Sequence, residues 1–314
     1  MSVVFGSLFP VFAIILIGFG LRKSGLIPAD NWKVAENLCF WLLFPALLVK
    51  TLVEADFQSI QSGPFTSAII MFLIAMGAIG LSLWPILKNT IKTRPEQFST
   101  VYQTTTRWNG FVALVIALKL FGDESLTLMT IALALMTIVI QVTNIFVLAA
   151  FTPSGRPSVL KIFKTISTNP IIISIVIGGL INVLGIPMWP PLIDMLDLVG
   201  RGALGISLLT VGAGLSLAAA LRPSKELLVG LVGKLAISPA VMMVSAVMFG
   251  LSGIQLSVLI VCSAVPTSMN GYLITKKMGG DAELYATTST VQTVLSFLTI
   301  PLTVWIAQTY FGGL

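Results

Sequence analysis

The sequence has 314 residues, 56% of them hydrophobic and only 10% charged, with a mean hydropathy of +1.00, whereas roughly a quarter of an ordinary soluble domain is charged. A water-soluble fold cannot hide that much apolar surface, so the lipid bilayer is the expected solvent. The formal net charge of +6 comes from basic residues in short segments between apolar runs, where orientation signals belong, and this argues against nucleic acid as a partner.

Apolar stretches of about 20 residues, each long enough to cross a hydrocarbon core of roughly 30 Å as a helix, recur along the whole chain. They fall near residues 3–21, 34–53, 65–87, 98–121, 124–150, 169–184, 195–219, 226–250, 254–276 and 282–310. Backbone groups in lipid must be satisfied within the segment, and no dyad alternation of a membrane barrel is present. The expected fold class is therefore an all-α polytopic membrane protein of ten transmembrane helices. The first run has no Lys or Arg before it and no small-residue cleavage site after it, so it reads as a retained span and not a signal. Cys39 and Cys262 lie inside spans and are expected to behave as small buried hydrophobes.

Loop charges test the count. Segments after odd-numbered spans carry Arg22, Lys23 and Lys33, then Lys88, Lys92 and Arg94, then Arg156, Lys161 and Lys164, then Arg222 and Lys225, then Lys276 and Lys277. Those after even-numbered spans carry Glu54 and Asp56, Asp123 and Glu124, Asp194 and Asp197, or no charge. Positive charge accumulates on the cytoplasmic side of short loops, so an even count with both termini on the non-cytoplasmic side is expected.

The chain also repeats itself. The run from Pro10 to Gly18 resembles that from Pro170 to Gly178, and Asn109-Gly110 recurs at nearly the same offset as Asn270-Gly271. Two five-span copies follow: residues 1–150, a turn-rich cytoplasmic linker over 151–168, and residues 169–314, together one transporter domain. An odd number of spans per copy forces the second into the membrane upside down, an arrangement common in secondary transporters.

The fourth span carries a polar run, Gln103-Thr-Thr-Thr-Arg107-Trp-Asn109-Gly110, at membrane depth. The ninth carries Ser263-Ala-Val-Pro266-Thr267-Ser268-Met-Asn270-Gly271. Proline lacks a backbone donor, and Gly and Asn tolerate non-helical dihedrals, so both spans are expected to be interrupted helices. A simple structural kink is the competing reading for either one alone; matched positions beside Asn favour a site. An exposed helix N-terminus at each break would favour an anion. Arg107 at mid-span must be compensated, either by a substrate carboxylate or by a freed carbonyl. Gln141 and Asn144 share a face of the fifth span and can donate to substrate or to a neighbouring helix. Lys234 has four methylenes and sits close to its helix start, so it is expected to snorkel to the interface. There is no His, no cysteine-rich metal cluster, no phosphate-binding loop and no carboxylate pair at membrane depth, which counts against an enzyme and excludes nucleotide-driven pumping by this chain alone.

These residues resemble the auxin efflux carrier family, within the wider group that includes bile acid sodium symporters, and the resemblance spans essentially the whole chain. It is carried most specifically by Ala264-Val-Pro266-Thr267-Ser-Met-Asn270-Gly271-Tyr272, by Met278-Gly279-Gly280-Asp281 and by the Thr/Ser-rich last span. Arg107-Trp-Asn109-Gly110-Phe111 and Phe44-Pro45-Ala46-Leu47 are similar to its fourth- and second-span signatures. The resemblance implies spans four and nine crossing at their breaks, a scaffold of spans one, two, six and seven, and a mobile bundle of the rest. It implies site residues Asn109, Asn144 and 266–271, and a homodimer. Many relatives carry a proline in the fourth-span crossover, which this chain lacks. Plant members have a long central loop, and the short linker here fits a bacterial inner-membrane permease, for which a dicarboxylate such as malate is the implied substrate.

The expected function is a secondary transporter of a small organic anion by elevator-type alternating access. The substrate-binding candidates are Arg107, Asn109, Gly110, Gln141, Asn144, Pro266, Thr267, Ser268, Asn270 and Gly271. Glu36, near the cytoplasmic end of span two, is the only carboxylate within a span beyond the boundary residues, which disfavours carboxylate-mediated proton symport. No cofactor is expected. Sodium stays open as a coupling ion, with Thr267, Ser268, Thr287, Thr288 and Gln292 as its candidate ligands. A ligand-binding sensor with a transporter-like fold, or an anion channel, is the alternative.

Overall fold

The computed structural model describes residues 2–55, 62–153, 164, 167–215 and 223–311. The regular structure in these residues is helical, and six stretches are long and apolar enough to cross a membrane: Gly6–Lys23, Asp30–Val53, Gly63–Thr90, Glu124–Phe151, Lys225–Met248 and Ala282–Tyr310. The chain is an all-helical polytopic membrane protein.

In chain order the helices are α1 (Ser2–Lys23), α2 (Ala29–Leu38), α3 (Phe44–Val53), α4 (Ser62–Thr90), α5 (Pro95–Thr106), α6 (Gly110–Phe121) and α7 (Glu124–Phe151). After the 151–168 segment, most of which lies outside the described residues, come α8 (Pro170–Val183), α9 (Pro190–Gly214), α10 (Lys225–Val232), α11 (Ser238–Met248), α12 (Gly253–Ala264), α13 (Asn270–Lys277) and α14 (Ala282–Tyr310). The last span starts and ends where hydropathy placed it. The second starts five residues before the expected Val34, because Pro28 sets the start of α2. The seventh starts earlier than expected, at the Pro190-Pro191 pair, and the end predicted for it at residue 219 lies outside the described residues.

Two spans contain a π-helical turn, Cys39–Leu43 between α2 and α3 and Gly233–Ile237 between α10 and α11. Each is followed by a proline, Pro45 and Pro239, whose missing N–H leaves the carbonyl four residues back without its helical donor. The backbone accommodates this by widening one turn: the N–H of Phe44 reaches back to Cys39 O, and that of Ser238 to Gly233 O.

Packing sorts the helices into two groups. In one, α1 lies along α9, and α3 lies along both α8 and α9. The other contains α4 to α7 and α10 to α14, with α4 against α11, α5 against α10, and α6 against α12. The first group is held by glycines that remove the side chain where helices touch. A Cβ on Gly18 would fall on the backbone of Leu209, and one on Gly212 on the carbonyl of Ile15. One on Gly178 would lie 3.1 Å from Val49 Cα, and one on Gly200 2.8 Å from Leu47 Cα. Gly18 and Gly178, the matched ends of the two similar runs, thus do the same job: α1 of the first half packs on α9 of the second, and α8 of the second on α3 of the first. Asn182 on α8 adds a cap, donating to the Val53 and Ala55 carbonyls at the end of α3 at 3.0 and 2.9 Å.

Gly212→Ala should destabilise the protein by about 1–3 kcal/mol, because overpacking against a backbone carbonyl outweighs the roughly 1 kcal/mol gained in helix propensity. Gly205→Ala on the same helix, which meets nothing within 4 Å, should be neutral or stabilising. Thermal melting of the two purified variants in detergent checks the contrast.

Candidate functional site

Both expected interruptions are present. Helix α5 stops at Thr106 because Arg107 turns to φ −66°, ψ 152°, and α12 stops at Ala264 because Val265 turns to φ −66°, ψ 150°. Each capping N–H still closes the last helical turn, Arg107 to Gln103 O and Val265 to Val261 O. The chain restarts as helix at Gly110 in the first case and at Asn270 in the second. The first break therefore forms without proline. Trp108 takes the place that Pro266 holds in the second, and Asn109 ends the gap by accepting from Val112 N at 3.2 Å as the N-cap of α6.

Between the first break and the neighbouring helices lies a cavity of about 370 Å³, in the range of small-molecule sites. Its walls are mainly apolar, with Phe40, Trp41, Phe111, Leu133, Ile171 and Ile274 among them, and Thr168, Asn169 and Pro170 at the start of α8 also line it. Arg107 alone is charged among the described lining residues, and Asn109, Gly110, Thr137, Gln141, Ser268 and Asn270 supply the polar surface.

Arg107 is 7% exposed. Its Nε donates to Gln103 Oε1 at 3.3 Å and its Nη1 to Gln141 Oε1 at 3.0 Å. Its Nη2 is buried with no partner. The hydrogen bonds so fix the plane of the guanidinium while leaving one end of the fork for something else. The two glutamines are neutral and leave the charge itself uncompensated. A burial of this kind costs several kcal/mol unless an anion completes it, so the cavity is suited to a carboxylate.

The second break is strapped by α14. Gln292, fully buried, accepts from Thr267 N at 2.9 Å and donates to Thr104 O at 2.9 Å and Gly230 O at 3.0 Å. Thr104 O belongs to the last turn of α5, where the helix offers it no donor, so one side chain serves both interruptions. Tyr285 OH donates to Ser268 O at 2.6 Å and lies 3.2 Å from Thr267 Oγ1. Its hydroxyl fills the space where Gly271 would carry a Cβ. Ser289 donates to Thr267 O at 3.3 Å.

The structure thus brings Arg107, Asn109, Gly110, Gln141, Ser268 and Asn270 to one cavity. Pro266, Thr267, Gly271 and Asn144 do not line it. Asn144 is buried on the far side of the break, exchanging hydrogen bonds with Thr106 Oγ1 at 3.2 and 3.3 Å and donating to Ile140 O at 2.7 Å. Among the sodium candidates, Gln292 Oε1 holds the Thr267 amide, and Thr287 and Thr288 donate to the carbonyls of Glu283 and Leu284 in their own helix. The Asn109 and Asn270 positions differ: Asn109 is a buried cap, whereas Asn270 opens α13 with an exposed side chain. Sequence reasoning left out Phe40, Trp41 and Thr137, and placed Gln103 in the polar run without giving it a role. Thr137 is four residues before Gln141 on α7, a spacing that puts it on the same face.

One expectation is corrected. Lys234 does not snorkel: it is 0% exposed, and its Nζ has no hydrogen-bond partner. The π-helical turn holds it among α5, α12 and α14. Gly233 beside it lies against Thr105, with only 2.7 Å between a built Cβ and the Thr105 methyl, so the turn faces the bundle interior and the side chain has no route to the interface.

Comparison with known proteins agrees with this architecture. The sequence profile of a family described as Membrane transport protein matches residues 3–306. An uncharacterized transporter of Methanocaldococcus jannaschii is 20% identical over 300 residues, covering 94% of this chain and 96% of the relative.

Gln292→Leu should abolish or severely reduce folded yield, since it leaves three buried backbone groups unpaired at about 1–3 kcal/mol each. Thr288→Val one turn away, where the hydroxyl serves only its own helix, should change the melting temperature little. Size-exclusion profiles and melting in detergent read both.

Proposed function

This chain belongs to the membrane transport protein family, and on that premise we propose that it is a secondary permease carrying a small organic anion, bound through a carboxylate by Arg107, by elevator-type alternating access. The observation that carries the reading is Arg107, buried in the wall of a cavity between the two helix groups with its charge uncompensated and its Nη2 unpartnered. The group of α1, α2, α3, α8 and α9 is the static scaffold, and the remainder is the moving bundle. Two inverted five-span repeats account for the shared backbone turn at Arg107 and Val265, and for the reciprocal use of Gly18 and Gly178. With basic loops inside, both chain ends are outside, and the Thr168 end of the cavity lies on the cytoplasmic side. A homodimer in a bacterial inner membrane completes the proposed setting.

The walls bear on the substrate. With one cation and mostly aromatic and aliphatic neighbours, the cavity matches a monocarboxylate with an apolar body better than malate, whose second carboxylate would find only neutral amides and hydroxyls. Outward movement of a monoanion gains roughly 2.3 kcal/mol per 100 mV with the inside negative, so export needs no coupling ion, and uptake does.

Proteoliposomes preloaded with unlabelled malate, propionate or benzoate should accumulate the matching labelled anion by counterflow. Arg107→Gln should reduce this by roughly tenfold or more, since bonds to a charged group are worth about 1.5–3 kcal/mol, with Arg107→Lys intermediate. Benzoate should exceed malate. Repeating the assay with an imposed sodium gradient reads the coupling. Flux without counterflow would indicate a channel, and binding without flux a sensor.

A further inference from the structure

The Arg107 guanidinium is held at the end of a chain of hydrogen bonds that begins on another span. Thr275, on α13, donates its hydroxyl proton to Gly271 O at 2.8 Å. Its oxygen is then available only as an acceptor, and Gln103 Nε2 donates to it at 2.8 Å. An amide whose nitrogen is fixed in this way has its oxygen fixed as well, and Gln103 Oε1 faces Arg107 Nε at 3.3 Å. The direction of every bond follows from the first. If the Gln103 amide were reversed, its NH₂ would meet the Arg107 N–H, donor against donor, and its oxygen would meet the Thr275 oxygen, acceptor against acceptor, so the reversed state is disfavoured while the Thr275 proton is committed to Gly271 O. Thr275 and Gln103 are each 0% exposed, so water does not offer a substitute partner.

We propose that Thr275 and Gln103 are positioning residues for Arg107: the Thr275 hydroxyl sets the Gln103 amide, and the amide sets the orientation of the guanidinium in the cavity wall. This rests on the carrier reading only for its transport readout. The relay joins the second half of one interrupted span to the capping residue of the other. The seat of α13 and the aim of Arg107 are therefore one variable. Gly271, whose carbonyl anchors the relay, is the same residue that Tyr285 presses against from α14, so a shift of the 266–271 segment reaches Arg107 through two side chains, Thr275 and Gln103. Gln103 and Thr275 keep out of the cavity themselves, and their influence passes entirely through Arg107.

The test compares Thr275→Val, which keeps the shape and removes the hydroxyl, with Thr275→Ser, which keeps the hydroxyl and removes the methyl packed near Gly280. In benzoate counterflow the Val variant should raise the half-saturation concentration roughly tenfold with the maximal rate little changed, the effect of an unmade buried hydrogen bond, and Ser should restore it. Gln103→Met should behave as Val. An unchanged half-saturation in Val, or a Ser variant as impaired as Val, would overturn the assignment in favour of a packing role. A structure of the Thr275→Val variant reads the same claim without transport: displacement of the Arg107 guanidinium supports it, and an unmoved guanidinium refutes it. If the wild type shows no counterflow with any of the three anions, the carrier reading fails, and the variant structure alone decides whether the relay positions Arg107.

Discussion

Everything in this bundle depends on two helices being interrupted at membrane depth. In a bilayer each freed N–H and carbonyl must find a partner inside the protein, and the long helix that comes after each break braces it, through side-chain contacts at the first and through backbone groups at the second. After the first, α7 supplies Gln141 and Asn144, which engage Arg107 and Thr106. After the second, α14 supplies Tyr285, Ser289 and Gln292. Gln292 also crosses to Thr104 in the first interrupted span, so the breaks are not two local defects but one joint. Among the Thr and Ser hydroxyls of α14, that of Ser289 serves the break, whereas those of Thr287, Thr288, Thr293 and Ser296 return to carbonyls of their own helix.

The joint constrains the surrounding helices by steric means. Gly230 and Gly233 let the π-helical end of the α10–α11 span lie against Thr104 and Thr105, with 2.9 Å from a built Gly230 Cβ to the Thr288 methyl. A side chain at either position would push the span off the interrupted helix and separate Gly230 O from Gln292. The scaffold uses glycine differently, at Gly18, Gly178, Gly200 and Gly212, to bring whole helices into backbone contact. Close small-residue contacts are how helices associate without a hydrophobic driving force in lipid. A stiff scaffold beside a bundle organised around one polar joint is the mechanical division that the proposed elevator motion needs.

Much of this was legible in the sequence. Hydropathy located the continuous helices to within a few residues, since a lipid-crossing helix has a fixed apolar length, and the runs around Asn109-Gly110 and Pro266 located the breaks. Which way a polar side chain points was not legible. Asn109 and Asn270 look equivalent as letters and both reach the cavity, yet Asn109 is a buried cap of α6 and Asn270 is exposed at the start of α13, where the second gap is longer by two residues. Asn144 shares a helix face with Gln141 but bonds across to Thr106. Lys234 read as a snorkelling residue because its depth was judged along its own helix; the π-helical turn, induced by Pro239, and the contact of Gly233 with Thr105 turn it inward. Such outcomes depend on tertiary neighbours, and nothing in a single span encodes them.

The balance of charge at the joint leads to the last step. Arg107 is surrounded by neutral partners that orient it without neutralising it, and no Asp or Glu approaches within ion-pair distance among the described residues, whose salt bridges join Lys50 to Glu54 and Asp197, Arg94 to Asp281, and Arg201 to Asp197. An internal carboxylate would have stabilised the buried guanidinium permanently and left nothing for a ligand to add. Glutamines achieve the opposite: they hold the fork while the electrostatic deficit persists, so that under the proposed function an entering anion would relieve it. The free energy released is then available only when the cavity is occupied, which is the condition for a carrier whose bundle should move with its load at the crossover.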